Sequence, residues 1–170
     1  MKKTLAELLV VDSIAGLLID PASPDGEVDM YEAALADPDP ATALARLRGH
    51  GFVTGALRSW TDGRGVAQVT LHRFASVRDA ELAASEQAHG LMASGGLVFN
   101  VDLGNPAAFG ASVSDLTTPS DDPFVAHVVV RPIRTVMMLV LVGGDGLMSE
   151  DATNLARAQS NRLFEAEPGT

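Results

Sequence analysis

The chain has 170 residues, of which 46% are hydrophobic and 20% are charged, a composition typical of a folded protein and too apolar for disorder. Acidic side chains outnumber basic ones by 22 to 12, and the resulting net charge of -10 makes nucleic acid an unfavourable partner. Cysteine is absent, which excludes disulfides and thiolate zinc sites, and no apolar run approaches the roughly 18 residues of a membrane span. We therefore predict a single α+β domain over residues 1–170 with no membrane insertion.

The N-terminal part of the chain is predicted to contain three helices. Apolar residues at helical spacing predict a short helix over residues 5–11, and a run of turn-forming residues predicts a loop over 20–26. A second helix is expected over residues 30–36. The Asp-Pro repeat that follows breaks this helix and begins a third one, with Asp39 as its N-cap.

Residues 52–60 and 66–74 are predicted to form a β-hairpin. The connecting residues 61–65, TDGRG, supply the glycines that a tight turn requires. Along the second strand, apolar residues alternate with polar residues that include His72. Because successive side chains of a strand point to opposite faces, one face is predicted to be buried and the other to be more polar.

A long helix is expected after this hairpin, because Ser76 can cap it and Asp79 lies in its first turn. Two further strands are predicted over residues 97–103 and 109–113, separated by a Gly-Asn-Pro turn. Residues 115–123 are rich in Thr, Ser, Asp and Pro, and we predict that they form an exposed loop.

Two valine-rich strands are predicted over residues 124–131 and 134–142, with Pro132 and Ile133 forming an antiparallel turn. The second of these strands is apolar on both faces, so we expect it to be the central strand of the sheet. A final helix follows, capped by Ser149. The order strand, strand, helix thus occurs twice, which predicts an antiparallel sheet packed with helices in two similar halves.

The motifs of the chain give no catalytic or metal-binding signature. The glycine-rich residues 143–146 lie between a strand and a helix, a context that can bind phosphate, but they lack the P-loop and GxGxxG patterns. No GxSxG elbow is present, and no two histidines have the i, i+4 spacing of a helix-borne metal site. We therefore predict no cofactor, no metal and no enzymatic activity.

Four residues are candidates for ligand binding: Trp60, His72, His127 and Met138. The two histidines fall on predicted strands and could meet across the sheet, although a strand histidine with a local hydrogen bond is the simpler interpretation. The tryptophan either lines a pocket or anchors the core. The methionine faces one side of its strand only, where packing also explains it.

Several segments of the chain resemble a known family. They are residues 51–55 (GFVTG), 58–60 (RSW), 69–80 (VTLHRFASVRDA), 126–142 and 156–159 (ARAQ). In these segments the chain resembles actinobacterial exported lipoproteins and extracytoplasmic sensor-like domains, related in fold to the Mog1/PsbP-like group. The resemblance implies an antiparallel sheet backed by helices and an extracytoplasmic location, at the cell surface or secreted. A cytoplasmic location follows instead if the chain is complete as given.

The sequence leaves two main functional hypotheses. In the first, the chain is a non-enzymatic binding or sensor-like domain that holds a small apolar ligand or a protein partner on the concave or helix-free face of its sheet. In the second, that surface is buried in a homodimer, and the chain is an assembly or structural module without a ligand. An enzyme centred on His72 and His127 is the least favoured hypothesis.

Overall fold

The computed structural model describes residues 3–12, 14, 16–37, 39–114 and 124–166 of the chain. In this part of the chain, eight strands form one antiparallel sheet: β1 Leu18–Ile19, β2 Gly26–Val28, β3 Phe52–Thr61, β4 Gly65–Phe74, β5 Leu97–Phe99, β6 Phe109–Ser114, β7 Val125–Ile133 and β8 Val136–Gly144. Four α-helices accompany the sheet: α1 Met30–Leu35, α2 Pro40–Gly49, α3 Val77–Ala93 and α4 Ser149–Ala166. The predicted α+β fold is therefore confirmed, while the predicted loop over 115–123 lies outside the described residues.

The strand order places β8 at the centre of the sheet, as the sequence predicted. The order is β1-β3-β4-β8-β7-β6-β5, and β2 pairs with β3 beside β1. The side chains of β8 are buried on both sides of the sheet, including Met137, Met138 and Val140. A strand that is apolar in every position is stable only where both faces are covered, which explains this central place.

The two predicted strand-strand-helix halves are present, and their helices lie on opposite faces of the sheet. The β3–β4 hairpin precedes α3, and the β7–β8 hairpin precedes α4. Helix α4 packs on one face with Trp60 and Met138, which we name the α4 face. Helices α1, α2 and α3 pack on the other face with Met137 and Leu139, which we name the α3 face. Because helices cover both faces, the expectation of a helix-free face is wrong.

The N-terminal segment covers part of the α4 face and is not the predicted α-helix over 5–11. Only Ala6–Leu8 form a short 3-10 helix, and the backbone is extended again at Leu9. The side-chain amide of Gln159 accepts a hydrogen bond from the Val10 amide at 2.9 Å and donates one to the Leu8 carbonyl at 2.8 Å. The tertiary contacts of this segment therefore decide its backbone, and they override its helical spacing.

The turn between β7 and β8 lies two residues beyond its predicted place. Ile133 pairs with Val136, so Arg134 and Thr135 form the turn, and Arg134 adopts a φ of 54°. Pro132 lies within β7 rather than in a turn. The neighbouring strand β6 begins with Phe109 opposite Val130 and does not pair with Pro132, so the missing N–H of the proline removes no hydrogen bond on that side.

The remaining elements follow the predicted pattern with shorter or shifted ends. Ser76 caps α3 by accepting a hydrogen bond from the Asp79 amide, as predicted. Asp39 precedes α2 but its side chain forms no capping bond, and α4 begins at Ser149 instead of being capped by it. Strand β5 is shorter than the predicted 97–103, and beyond its end the carbonyls of Leu103 and Pro106 accept hydrogen bonds from Arg131. None of the described helices is long and apolar enough to cross a membrane.

Candidate functional site

The structure places the two candidate histidines on opposite faces of the sheet. His72 pairs with Met137 of the α3-face core, whereas His127 pairs with Val142 of the α4-face core. Side chains of directly opposed residues lie on the same face of a sheet, so the two imidazole rings are separated by the sheet itself. The prediction that they meet across the sheet is therefore wrong.

The other two candidates, Trp60 and Met138, are core residues of the α4 face. Both side chains are fully buried. The sulfur of Met138 lies 3.8 Å from the Ser160 hydroxyl of α4. This placement is that of packing anchors between the sheet and the last helix, and a ligand-binding role for them stays a prediction.

His127 is half-buried and has a polar partner on the neighbouring strand. Its Nδ1 lies 2.7 Å from the Ser112 hydroxyl, and its ring packs edge-on against Phe99 at 6.2 Å between centroids. Either tautomer can satisfy this contact, with the hydroxyl acting as donor or acceptor. The arrangement matches a strand histidine with a local hydrogen bond, the simpler of the two sequence interpretations.

His72, in contrast, lies deep under the helices of the α3 face. Its ring is fully buried and packs edge-on against Phe52 at 5.7 Å. Burial, with a smaller contribution from the charge of Arg46, lowers the pKa of His72 to about 3. The ring is therefore neutral at physiological pH and offers one donor and one acceptor nitrogen.

His72 belongs to a group of buried polar side chains, Asp37, Arg46, His72 and Gln87, which we name the polar cluster. Arg46 of α2 donates a hydrogen bond to the Asp37 carboxylate at 2.7 Å, and this ion pair is almost completely buried. The Gln87 amide of α3 donates to the same carboxylate at 3.5 Å. Each member comes from a different part of the fold. Asp37 lies in the link between α1 and α2, Arg46 in α2, Gln87 in α3 and His72 in β4.

The Asp37 carboxylate is held by several opposing effects. Burial raises the pKa of Asp37, and the guanidinium of Arg46 opposes this shift. The Asp39 amide donates a further hydrogen bond to the carboxylate at 2.8 Å. Asp37 is therefore turned inward, where a cation from α2 balances its charge.

The polar cluster contains every buried side-chain nitrogen or oxygen atom of the described residues that lacks a hydrogen-bond partner. These atoms are Nε of Arg46, Oε1 of Gln87 and both ring nitrogens of His72. Leaving a buried polar group without a partner costs about 1–3 kcal/mol, so native proteins rarely gather several of them. Their concentration in one place marks this cluster as the candidate functional site.

A groove between α2 and α3 lies beside Arg46 of the polar cluster. Its volume is about 780 Å³, within the range of small-molecule sites, and Arg46 is the member of the polar cluster that forms part of its wall. Thr42 and Gly90 also line it. At its rim, Nε2 of His50 contacts a Glu86 carboxylate oxygen at 3.0 Å. Arg46 thus connects the solvent-accessible groove with the buried cluster.

Two other grooves of the described residues lack such a cluster. One, of about 570 Å³, lies beside Glu27 and Tyr31, and another, of about 560 Å³, lies beside Arg64 and His127. None of the buried polar atoms without a partner belongs to a residue that lines either groove. The groove between α2 and α3 is therefore the strongest candidate.

Sequence reasoning identified only His72 among the four members of the polar cluster. The alternation along β4 predicted a more polar face, and the structure shows that this face is covered, with Thr70 and His72 both buried. Gln68 on the same face donates to the Ala36 carbonyl at 2.8 Å. A signal was present in the polar stripe of β4, but its burial depends on helices that pack from distant parts of the chain.

Metal binding finds no support in the described part of the chain. No group of three or more His, Asp or Glu side chains there is arranged to hold a metal ion. The polar cluster has one carboxylate, and that carboxylate is committed to Arg46.

Comparisons with known proteins identify a shared fold. No protein-family model matches the chain, and no curated protein matches it. Among solved structures, the chain is similar to the extracellular domain of PknH from Mycobacterium tuberculosis, with 10% identity and a TM-score of 0.64 over 93% of this chain and 94% of that chain. The likeness to the Mog1/PsbP-like group stays a prediction. The chain therefore shares its fold with an actinobacterial extracellular domain.

Proposed function

We propose that the chain is a non-enzymatic, sensor-like binding domain of the extracytoplasmic space, which holds a small molecule or a group of a protein partner between α2 and α3. The observation that carries this proposal is the groove of about 780 Å³ whose wall includes Arg46, a side chain tied to the buried polar cluster through its ion pair with Asp37. Of the residues with unpartnered buried atoms, Arg46 is the one that lines the groove. The polar side chains of the groove wall, such as Thr42 and Ser94, favour a polar ligand over the apolar ligand that the sequence led us to expect.

A binding role suits these residues better than a catalytic one. The carboxylate of Asp37 is occupied by Arg46 and by the Asp39 amide. A general base works best when its pKa lies near the operating pH, and burial lowers the pKa of His72 to about 3. The groups that could move a proton are thus either ion-paired or poorly matched to neutral pH.

The experiment that tests this proposal blocks the groove without disturbing the fold. A Cβ at Gly90 of α3 would meet no atom within 4 Å, so Gly90→Leu fills the groove from an exposed helix position. Ala158→Leu, on the exposed side of α4, adds the same kind of bulk elsewhere. Small polar fragments (amides, alcohols, carboxylates and amines) and apolar fragments (benzene and indole) are titrated into the ¹⁵N-labelled protein.

We expect polar fragments to shift backbone amide signals of α2 and α3 in the wild type and in Ala158→Leu. The same shifts should be lost in Gly90→Leu. Equal binding by Gly90→Leu, or a response to the apolar fragments alone, would contradict the proposal.

The homodimeric alternative is favoured by a separate observation at the sheet edge. Strand β5 is the outermost strand of the described sheet on its side, and its Leu97 and Val98 side chains are 75% and 60% exposed. Unpaired edge strands with exposed apolar side chains readily pair with another chain. Light scattering with size-exclusion chromatography tests this, since a dimer that Val98→Lys dissociates would support the assembly role, and a strict monomer would exclude it.

A further inference from the structure

One nitrogen of the Arg46 guanidinium is accessible from the groove between α2 and α3. The side chain is only 8% exposed, its Nη2 donates a hydrogen bond to Asp37, and its Nε is buried without a partner. Nη1 forms no hydrogen bond with a described residue and is not among the buried atoms without a partner. Because Arg46 lines the groove, Nη1 is the atom that a molecule there can reach. A guanidinium nitrogen only donates, so it requires an acceptor oxygen.

The charges along the groove favour a cation. Asp37 balances the charge of Arg46, which leaves two further carboxylates in the lining, Asp39 and Glu86, against a single histidine, His50. The Glu86 side chain is 56% exposed and therefore accessible to a ligand. A free carboxylate is repelled by these acidic side chains, whereas an ammonium group is attracted. The acceptor that reaches Arg46 should therefore be neutral, and the same molecule should carry a positive charge.

The positions of Arg46 and Glu86 limit the distance between these two groups of the ligand. Side chains four residues apart on a helix are neighbours, with about 5–6 Å between their Cβ atoms, and His50 follows Arg46 by four residues. The Glu86 carboxylate contacts Nε2 of His50 at 3.0 Å, so it lies close to Arg46 along the groove. An ammonium nitrogen and a carbonyl oxygen attached to neighbouring carbon atoms meet this spacing.

From these observations we infer that the groove binds a small cation of the α-amino carbonyl class, with its neutral carbonyl oxygen on Arg46 and its ammonium group on Glu86. Free amino amides and the N-terminus of a peptide chain share this chemistry. This inference rests on the proposed binding function. It adds the chemical class of the ligand and the two side chains that select it.

The first test uses three molecules of nearly equal size: alaninamide, lactamide and sec-butylamine. Lactamide has a hydroxyl in place of the ammonium group, and sec-butylamine has an ethyl group in place of the amide. Each is titrated into the ¹⁵N-labelled full chain at about pH 7, where most α-amino groups are charged. The Arg46 Nε–H signal and the Glu86 backbone signal are followed by NMR.

We expect alaninamide to shift both signals. It should bind about tenfold more tightly than sec-butylamine, which cannot accept a hydrogen bond from the largely buried Arg46. It should bind about threefold more tightly than lactamide, a smaller ratio because solvent screens the exposed Glu86. Alanine, in which a carboxylate replaces the neutral amide, should also bind more weakly than alaninamide.

Two variants of α3 test the role of Glu86. Glu86→Gln removes the charge but keeps an oxygen that can accept from His50, and should weaken alaninamide binding about threefold while leaving lactamide binding unchanged. Glu81→Gln removes an exposed charge from the same helix outside the groove lining, and should leave both affinities unchanged. Both positions are exposed, so both variants should melt at the temperature of the wild type, and a loss of binding would not reflect unfolding.

The peptide alanyl-glycyl-glycinamide distinguishes the two sources of this chemistry. It carries the same ammonium and first carbonyl as alaninamide, followed by two further residues. Tighter binding than alaninamide would support the inference with a peptide N-terminus as the occupant. Equal or weaker binding would support it with a free amino amide as the occupant.

The outcomes separate this inference from the proposed function. Lactamide or alanine binding as tightly as alaninamide would overturn the ligand class and leave the proposed function standing. An unchanged alaninamide affinity in Glu86→Gln would do the same. The class also falls if alaninamide does not bind while other polar fragments still shift the signals of α2 and α3. If neither the fragments nor these analogues shift those signals, both proposals fall.

Discussion

Acidification should destabilise the protein through His72. Its pKa in the folded chain is about 3, whereas an unfolded histidine has a pKa near 6.5. A group whose folded pKa is lowered contributes stability that is fully present above the unfolded value and is lost as the pH falls toward the folded value. At about pH 5, roughly 1.5 pH units below 6.5, the expected loss is about 2 kcal/mol of unfolding free energy.

The measurement is urea unfolding at about pH 8 and about pH 5 for the wild type and for His72→Phe. The phenyl ring retains the aromatic contact with Phe52 but cannot titrate. Asp37 acts in the opposite direction, because burial raises its pKa and protonation of a raised carboxyl favours the folded state as the pH falls. Subtracting the change in unfolding free energy of the variant from that of the wild type removes this contribution, since Asp37 is present in both.

A matched control is His89→Gln, because His89 lies on the exposed side of α3. This variant should lose the same free energy of unfolding between about pH 8 and about pH 5 as the wild type. The reasoning is refuted if His72→Phe loses as much stability between the two pH values as the wild type, since the proton would then be taken up elsewhere.

Four further predictions concern stability, each measured by urea or thermal unfolding. Asp37→Asn leaves Arg46 as a buried uncompensated charge and should lower the free energy of unfolding by about 3–5 kcal/mol. A loss smaller than that caused by substituting an exposed aspartate would contradict the burial of the pair. Gln159→Leu removes the hydrogen-bond partner of the Val10 amide, whereas the Leu8 carbonyl keeps its bond from Arg162, so the expected cost is about 1–3 kcal/mol, with faster amide exchange at Val10 as the specific readout. Gly110→Ala should cost about 1–3 kcal/mol because its Cβ would lie 2.6 Å from the Phe99 ring. Gly90→Ala, which meets nothing, should instead stabilise α3 by up to about 1 kcal/mol.

Local patterns predicted most of the fold because the deciding signals lie within single segments. The hairpin of β3 and β4 follows from alternation and a glycine-rich turn, and the central position of β8 follows from a run that is apolar on both faces. The errors arose where distant residues decide the backbone. Gln159 lies far along the chain from Leu8 and Val10, yet its amide bonds hold the N-terminal segment extended.

The candidate site was predictable only in part. The polar stripe of β4 identified His72, but no local pattern shows that Asp37, Arg46 and Gln87 come together above it. Each of these residues alone looks like an ordinary polar residue on a helix or in a turn. Their burial follows from the packing of α2 and α3 on the sheet, which short-range periodicity does not encode.

The two faces of the sheet differ in a way that stability alone does not explain. On the α4 face, the buried polar Gln159 forms hydrogen bonds with the backbone through both its amide oxygen and its amide nitrogen. On the α3 face, polar side chains are buried with nitrogen and oxygen atoms unpaired. Replacing a buried ion pair and its neighbours by apolar residues often stabilises a protein, so a cluster kept only for folding would be expected to be apolar or fully bonded. Departures from that rule concentrate at functional sites, which supports the proposed binding site on the α3 face.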